Sequence, residues 1–368
     1  MAENIDSGQS IAHESHFENQ FREREIPLFG SSLRTIRIEP ERQSEKSQYP
    51  VFFAPGFGET FGTNKGPLRM LYEQGREVHS LIHMRFGGNI HEAYESVVQD
   101  MNDRLAKGGK STDAIDSERK AVNARWENLK QHFPKASLRR ALTIIGDLNA
   151  SSLEKVDAIG HSLGCTDIVL AAYLFPDMFN NLVLIESGGL IEDDTRRDIS
   201  RRSIEQVTKV DPKQTPLPHD PLVYEDTYLF TRYQKDIDKL KQDVSTPRKD
   251  MRLLMMNPKR TFEEVTATVD TPIKSLIPDI RKRGIGVAFI HAMDDRIFPM
   301  ERVQDVDKGV LTRKKEDTLD EKGQVLRAAV DGFLSIGGSH NSLYVEPRIM
   351  KAADWLLTKL AEKPKSTP

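Results

Sequence analysis

Short apolar runs alternate with longer amphipathic stretches along most of the chain. "PVFFAP" (50–55), "VHSLIHM" (78–84), "VDAIG" (156–160), "NLVLIES" (181–187), "GVAFIHA" (286–292) and "VDGFLSI" (330–336) are short and rich in β-branched or aromatic residues. Near-continuous apolar runs of this length suit strands buried on both faces of a mostly parallel sheet. "LRTIRI" (33–38) alternates apolar and polar positions instead, as a strand near a sheet edge does. Helical patterns lie between several of these runs, among them "LGCTDIVLAAYLF" (163–175), and "PRIMKAADWLLTKLAE" (347–362) follows the last. Such strand–helix alternation predicts an α/β fold whose parallel sheet is covered by helices on both faces.

Three stretches break the rhythm. Residues 1–30 are polar and unpatterned and read as an N-terminal arm. Residues 102–135 are highly charged, with "KGGKSTDAIDSERK" (107–120) reading as a loop ahead of a polar helix. Residues 190–280 contain no strand pattern, although good strands precede and follow them. Within them "TPLPHDP" separates helical pieces and "MRLLMMNP" supplies an apolar face, which predicts a helical cap at the sheet's edge. The core is then expected over 31–189 and 281–362, with 363–368 as a loose tail.

Composition narrows the class without choosing a chemistry. The 368 residues are 38% hydrophobic and 30% charged, with a mean hydropathy of -0.53. That suffices for one large α/β domain with an insert. A net charge of -3 offers no electrostatic case for nucleic acid or an anionic membrane. The single cysteine, Cys165, cannot form an internal disulfide, and the first twenty residues lack the basic and apolar regions of a signal peptide. No run approaches the ~18–20 apolar residues of a membrane span. A cytoplasmic protein without stable membrane insertion is expected.

The candidate chemistry sits between one strand and one helix. Gly160-His161-Ser162-Leu163-Gly164 fits the pattern G-x-S-x-G, with an apolar strand before it and an apolar helix after it. A nucleophilic serine on a very tight strand-to-helix turn has a strained backbone that pushes its Oγ out of the sheet. Side chains two residues either side would collide in that turn, so both positions must be small.

In this motif and its flanks the sequence resembles the α/β-hydrolase superfamily, in particular the esterase and lipase branches that carry "GHSLG". The resemblance covers most of residues 31–362, less the stretches 102–135 and 190–280. It implies a Ser–acid–His order along the chain, because a serine hydroxyl is a poor nucleophile without a base and an orienting acid. "GVAFIHAMDDRIFP" (286–299) looks like the family's late strand and acid loop, in which an aspartate precedes a proline by four residues. That offset favours Asp295 before Pro299, with Asp294 and Glu186, in "LVLIESGG", as competing acids. The base is implied at His340, in a glycine-bearing loop between the last strand and the last helix. The oxyanion donors are implied at the Leu163 N–H and, in "FFAPGFGET" (52–60), at the Phe57 N–H. The bland alternatives are a glycine-bounded turn, surface acids and a loop histidine; only their joint order and context set them aside.

Other signatures fail on spacing. "GFGETFG" (56–62), with Glu77 downstream, is one residue too long for a dinucleotide fingerprint, and Glu77 precedes its strand. "GGKST" (108–112) ends like a phosphate loop but has Arg104 where the first glycine belongs. His79, His83 and His91 lack a third ligand fixed by spacing, and Cys165 reads as a packed small side chain. No cofactor and no metal are therefore expected.

The implied reaction is hydrolysis of a carboxylic ester through an acyl-enzyme, with a small-molecule acyl ester as substrate. A medium- or long-chain ester such as a monoacylglycerol or lysophospholipid is slightly favoured. Acyl transfer and thioester hydrolysis use the same parts, and a non-catalytic hydrolase-like binding protein is the alternative from another class. Protein partners are left open.

Overall fold

The computed structural model describes residues 20–28, 31–40, 49–56, 61–81, 89–191, 194–209, 266–267, 269–292, 295–299, 302–303, 331–336, 340, 343 and 349–362. Among them eight strands form one sheet in the order β1-β2-β4-β3-β5-β6-β7-β8. They are β1 (Phe21–Leu28), β2 (Ser31–Ile38), β3 (Val51–Ala54), β4 (Val78–Leu81), β5 (Val156–His161), β6 (Phe179–Ile185), β7 (Gly286–Ala292) and β8 (Gly332–Ile336). The six from β4 to β8 run parallel, and β2 pairs antiparallel with both β4 and β1.

The expected α/β architecture is present, and the burial explains why its strands read clearly. β3, β5 and β6 are buried along their whole length. In β5, Val156 and Ala158 join the core on one face while Ile159 joins the core on the other. Helices α2 (Ile90–Lys107), α3 (Thr112–His132), α4 (Lys135–Ala150) and α5 (Leu163–Leu174) pack on the first face. Helices α1 (Phe61–Glu73) and α8 (Ile349–Glu362) cover the second. Helix α6 (Arg196–Lys209) and the short α7 (Ile277–Lys282) also contribute Ile199, Ile277 and Ile280 to the first core. α5 is buried all round, as an apolar helix without an amphipathic face must be.

The structure corrects three sequence expectations. Residues 1–30 are not wholly an arm, because Phe21–Leu28 pairs with β2 from Phe21↔Ile38 to Leu28↔Ser31. Only Ile26 and Leu28 of this edge strand are buried, so its charged stretch Arg22–Glu25 hides the strand pattern. The segment 107–120 is not mainly loop. Gly108 ends α2, Gly109 adopts φ 77°, and the Ser111 side chain accepts the Ala114 N–H at 3.3 Å to start α3 at Thr112. The chain also returns to the core earlier than 281. Ile273 N–H donates to Gly189 O at 2.9 Å, and the Ser137 and Thr271 hydroxyls lie 2.7 Å apart. Within the expected cap, residues 192–193, 210–265 and 268 lie outside the described residues.

A buried polar knot holds the amino-terminal edge of the sheet. Asp157 accepts from Asn180 at 2.8 Å, Asn181 at 3.2 Å and Arg76 at 3.2 Å. Arg76 also donates to Asp354 of α8 at 2.5 Å. Thus β5, β6, the connection from α1 to β4, and α8 are tied together at the end of the sheet opposite the carboxyl edge that carries the candidate site.

Candidate active site

The strand register gathers the site. His161 pairs with Ile185, Ile185 with Ile290, and Ala292 with Ile336, so β5 to β8 end close together at the carboxyl edge. In open α/β sheets ligands bind beyond this edge. Ser162 follows β5 directly, Glu186 follows β6, Asp295 lies just past β7, and His340 lies just past β8.

Ser162 adopts φ 52° and ψ -117°, a conformation that non-glycine residues rarely take and that costs about 1–3 kcal/mol. The surroundings hold it there: Ser162 N–H donates to Ile185 O at 2.9 Å, and its carbonyl accepts Gly188 N–H at 3.1 Å. The two motif glycines are sterically required. A Cβ on Gly160 would lie 2.7 Å from the Cys165 backbone, and one on Gly164 would lie 2.7 Å from Pro55 O. Cys165 itself is buried, with its Sγ–H donating to Gly160 O at 3.1 Å, and burial pushes its thiol pKa up. It is a packing residue in the turn.

A continuous hydrogen-bond chain runs from the serine. His340 Nε2 lies 2.9 Å from Ser162 Oγ, and His340 Nδ1 lies 2.8 Å from Asp295 Oδ2. The carboxylate accepts, so Nδ1 carries the hydrogen and Nε2 is left to accept from the hydroxyl. Asp295 Oδ1 accepts the backbone N–H groups of Ile297 at 2.8 Å and Phe298 at 2.9 Å. Burial works to raise the Asp295 pKa, but the charge and hydrogen bond of His340, with His291 and the Phe298 N–H, outweigh it and hold it low. The Phe298 ring meets the His340 ring edge-on at 5.3 Å. Ser162, Asp295 and His340 are all buried.

The remaining sequence candidates divide. Leu163 is the first residue of α5, whose first turn bears no acidic side chain. Its N–H therefore lies at the positive end of a fully buried helix. Phe57 and Asp294 lie outside the described residues, whereas Pro55 and Gly56, which lead into the expected oxyanion loop, are buried. Glu186 is not hydrogen-bonded to His340: its Oε2 is 3.9 Å from His340 Nδ1 and 2.9 Å from His161 Nε2. That pairing was not anticipated, because only the β5–β6 register brings the two side chains together. His79 likewise has a carboxylate that spacing did not reveal, with its Nε2 2.8 Å from Glu77 Oε1.

Glu186, Asp295 and His340 offer donor atoms within 4.8 Å of one another. Asp295 and His340 are already engaged with each other and Ser162, so the cluster reads as a hydrogen-bonded charge network. What it can do is take a proton from Ser162 and hold the resulting imidazolium between carboxylates.

A family model described as the alpha/beta hydrolase fold matches residues 49–323. Comparison with curated protein sequences gives no match. Among solved structures, the chain is similar to a membrane phospholipase A described as a novel bacterial virulence factor. Identity is 13%, over 96% of this chain and 91% of that one, with a TM-score of 0.50. It is also similar to a candidate lipase from Acinetobacter baumannii AYE, at 14% identity over 98% of this chain and 99% of that one, with a TM-score of 0.53. At these identities the likeness is one of fold. No helix among the described residues is long and apolar enough to cross a membrane.

Proposed function

The chain belongs to the α/β-hydrolase family, and from that premise we propose that it is a serine hydrolase cleaving a carboxylic ester through Ser162, His340 and Asp295. The observation that carries this reading is the buried chain of 2.9 Å and 2.8 Å contacts from a serine held at φ 52°. His340 Nε2 takes the Ser162 proton as Oγ attacks the ester carbonyl. Asp295 holds the ring with its hydrogen on Nδ1 and balances the charge that forms. The Leu163 and Phe57 N–H groups receive the oxyanion, a type of contact whose loss typically costs about 10²–10³ in rate. The imidazolium protonates the leaving alcohol, and water activated by the same ring releases the acyl group.

The proposed substrate class is an acyl ester of medium or long chain, with the segment from about 190 to 270 forming the cap over it. "MRLLMMNP" and "LVYEDTYLF" supply that cap's apolar side chains. The phospholipase and lipase descriptions of the two similar structures accord with an acyl ester.

The test is labelling with a fluorophosphonate probe, read by intact mass. Wild-type protein should gain one adduct, Ser162→Ala none, and His340→Ala one at a rate lower by about 10³-fold or more. No adduct on the wild type, or an adduct that survives Ser162→Ala, would overturn the proposal. A series of nitrophenyl esters then reads the acyl-chain preference.

A further inference from the structure

The proposed mechanism leaves one buried carboxylate unused. Glu186 is fully buried at φ 50° just past β6, and its N–H donates to Ile290 O at 2.8 Å. Among the described residues its side chain is held by one hydrogen-bond partner, on one oxygen. His161 Nε2 lies 2.9 Å from Glu186 Oε2 and 3.1 Å from the carbonyl oxygen of His340. A carbonyl only accepts, so His161 Nε2 carries a hydrogen and shares it between the two oxygens. Glu186 Oε2 is then an acceptor in either protonation state, and any proton on the carboxyl sits on Oε1. Oε1 is buried with no hydrogen-bond partner among the described residues.

Neither charge state is well satisfied. Among the described residues the buried anion has one hydrogen bond, and the neutral acid would bury a hydroxyl without a partner there. Burial pushes the Glu186 carboxyl up to about 7, against the hydrogen bond and charge of His161 and the charge of His340. The ionisable groups facing it are His161 at the end of β5, Cys165 in the first turn of α5, Asp295 past β7 and His340 past β8.

Resting on the serine-hydrolase reading, we propose that Glu186 is a second, ionisable positioning carboxylate. Its anion stabilises the charged His340 ring across the 3.9 Å gap, and through His161 it fixes the His340 backbone. When Ser162 attacks, its proton moves to His340 Nε2 and the ring becomes cationic. Asp295 and an ionised Glu186 then flank Nδ1 together; with a neutral Glu186 only Asp295 does. The histidine of the motif thereby acquires a role, as the donor that ties the second carboxylate to the base.

Glu186→Gln keeps the shape and an acceptor for His161 but removes the charge. The experiment is the rate of fluorophosphonate labelling at Ser162 between about pH 5 and 9, on wild type, Glu186→Gln and Glu186→Asp, with circular dichroism as the check of fold. In Glu186→Gln the acid-side midpoint should move down by about one pH unit, since a carboxylate at this range favours the protonated ring by at least that much. The alkaline plateau should fall about 3- to 10-fold, because the same stabilisation is lost from the forming imidazolium. Glu186→Asp should restore most of the midpoint. A purely structural role would lower the plateau and leave the midpoint in place, which would overturn the proposal. Absence of any adduct on the wild type would instead overturn the underlying hydrolase reading, and this proposal with it. Should Glu186→Gln not fold, carbon-13 NMR of wild-type protein labelled at glutamate carboxyls answers the same question. One carboxyl titrating near neutrality is expected, and its absence would refute the proposal.

Discussion

Asp147 allows a quantitative test of how this fold tolerates charge. It lies on α4 among apolar residues, is fully buried, and neither of its carboxylate oxygens has a hydrogen-bond partner among the described residues. Burial pushes its carboxyl from 3.8 up to about 7, with the charge of Arg24 acting in the opposite direction. The folded pKa therefore exceeds the unfolded one, and between about pH 4 and 7 the folded protein holds a proton that the unfolded chain has lost. The stability carried by this group is present in full below about pH 4 and is lost as the pH rises through 7. Roughly three units at ~1.4 kcal/mol each set a ceiling of about 4 kcal/mol, which relaxation of the interior and entry of water bring to about 1–3 kcal/mol. Asp147→Asn has the same shape and no charge at any of these pH values. Near pH 4 it should match the wild type, and at pH 8 it should be the more stable by about 1–3 kcal/mol. Urea unfolding followed by circular dichroism from pH 4 to 8 measures this directly. A difference between variant and wild type that does not grow with pH would refute the reasoning.

Two further substitutions probe the site's frame. Gly164→Ala places a methyl group against the backbone of Ala54 and Pro55, where no side-chain rotation can make room. It should cost about 1–3 kcal/mol in thermal or urea unfolding and slow labelling of Ser162 by more than about tenfold; a rate equal to wild type would show that the turn relaxes freely. Arg140→Met removes the guanidinium that meets the fully buried Asp167 at 2.7 Å between α4 and α5. It should destabilise by about 3–5 kcal/mol, and adding Asp167→Asn should recover much of that, since the loss is mainly an uncompensated buried charge. No recovery in the double variant would assign the cost to packing instead.

What could be read in the chain follows from how each element is covered. β3, β5, β6 and nearly all of β7 are buried, so each carries a short, largely apolar run that is visible as a strand, with the polar residues Asp157, Asn180 and Asn181 near the starts of β5 and β6. β1 buries only Ile26 and Leu28, and its pairing with β2 is a property of the partner strand more than of "FREREIPL" itself. α3 starts on a serine cap amid charges, so the same residues that look like loop are the ones that begin the helix. Among the candidate residues, Ser162, Asp295 and His340 were legible because the proposed chemistry demands particular side chains at the ends of apolar strands. Phe57 and Asp294 lie outside the described residues, as does most of the expected cap. Glu186 was visible only as a competitor for the orienting acid. Its partner is a residue of the next strand in the sheet, and nothing within either strand's sequence encodes which side chains a register will oppose. The same holds for Arg140 with Asp167 and for Asp147, polar residues inside helices whose burial depends on the whole assembly. The charges that set how this site responds to pH were therefore the least legible part of it, because desolvation belongs to the packed fold and not to any local pattern. If the Glu186→Gln profile shifts as expected, that second carboxylate is functional chemistry that only the register reveals.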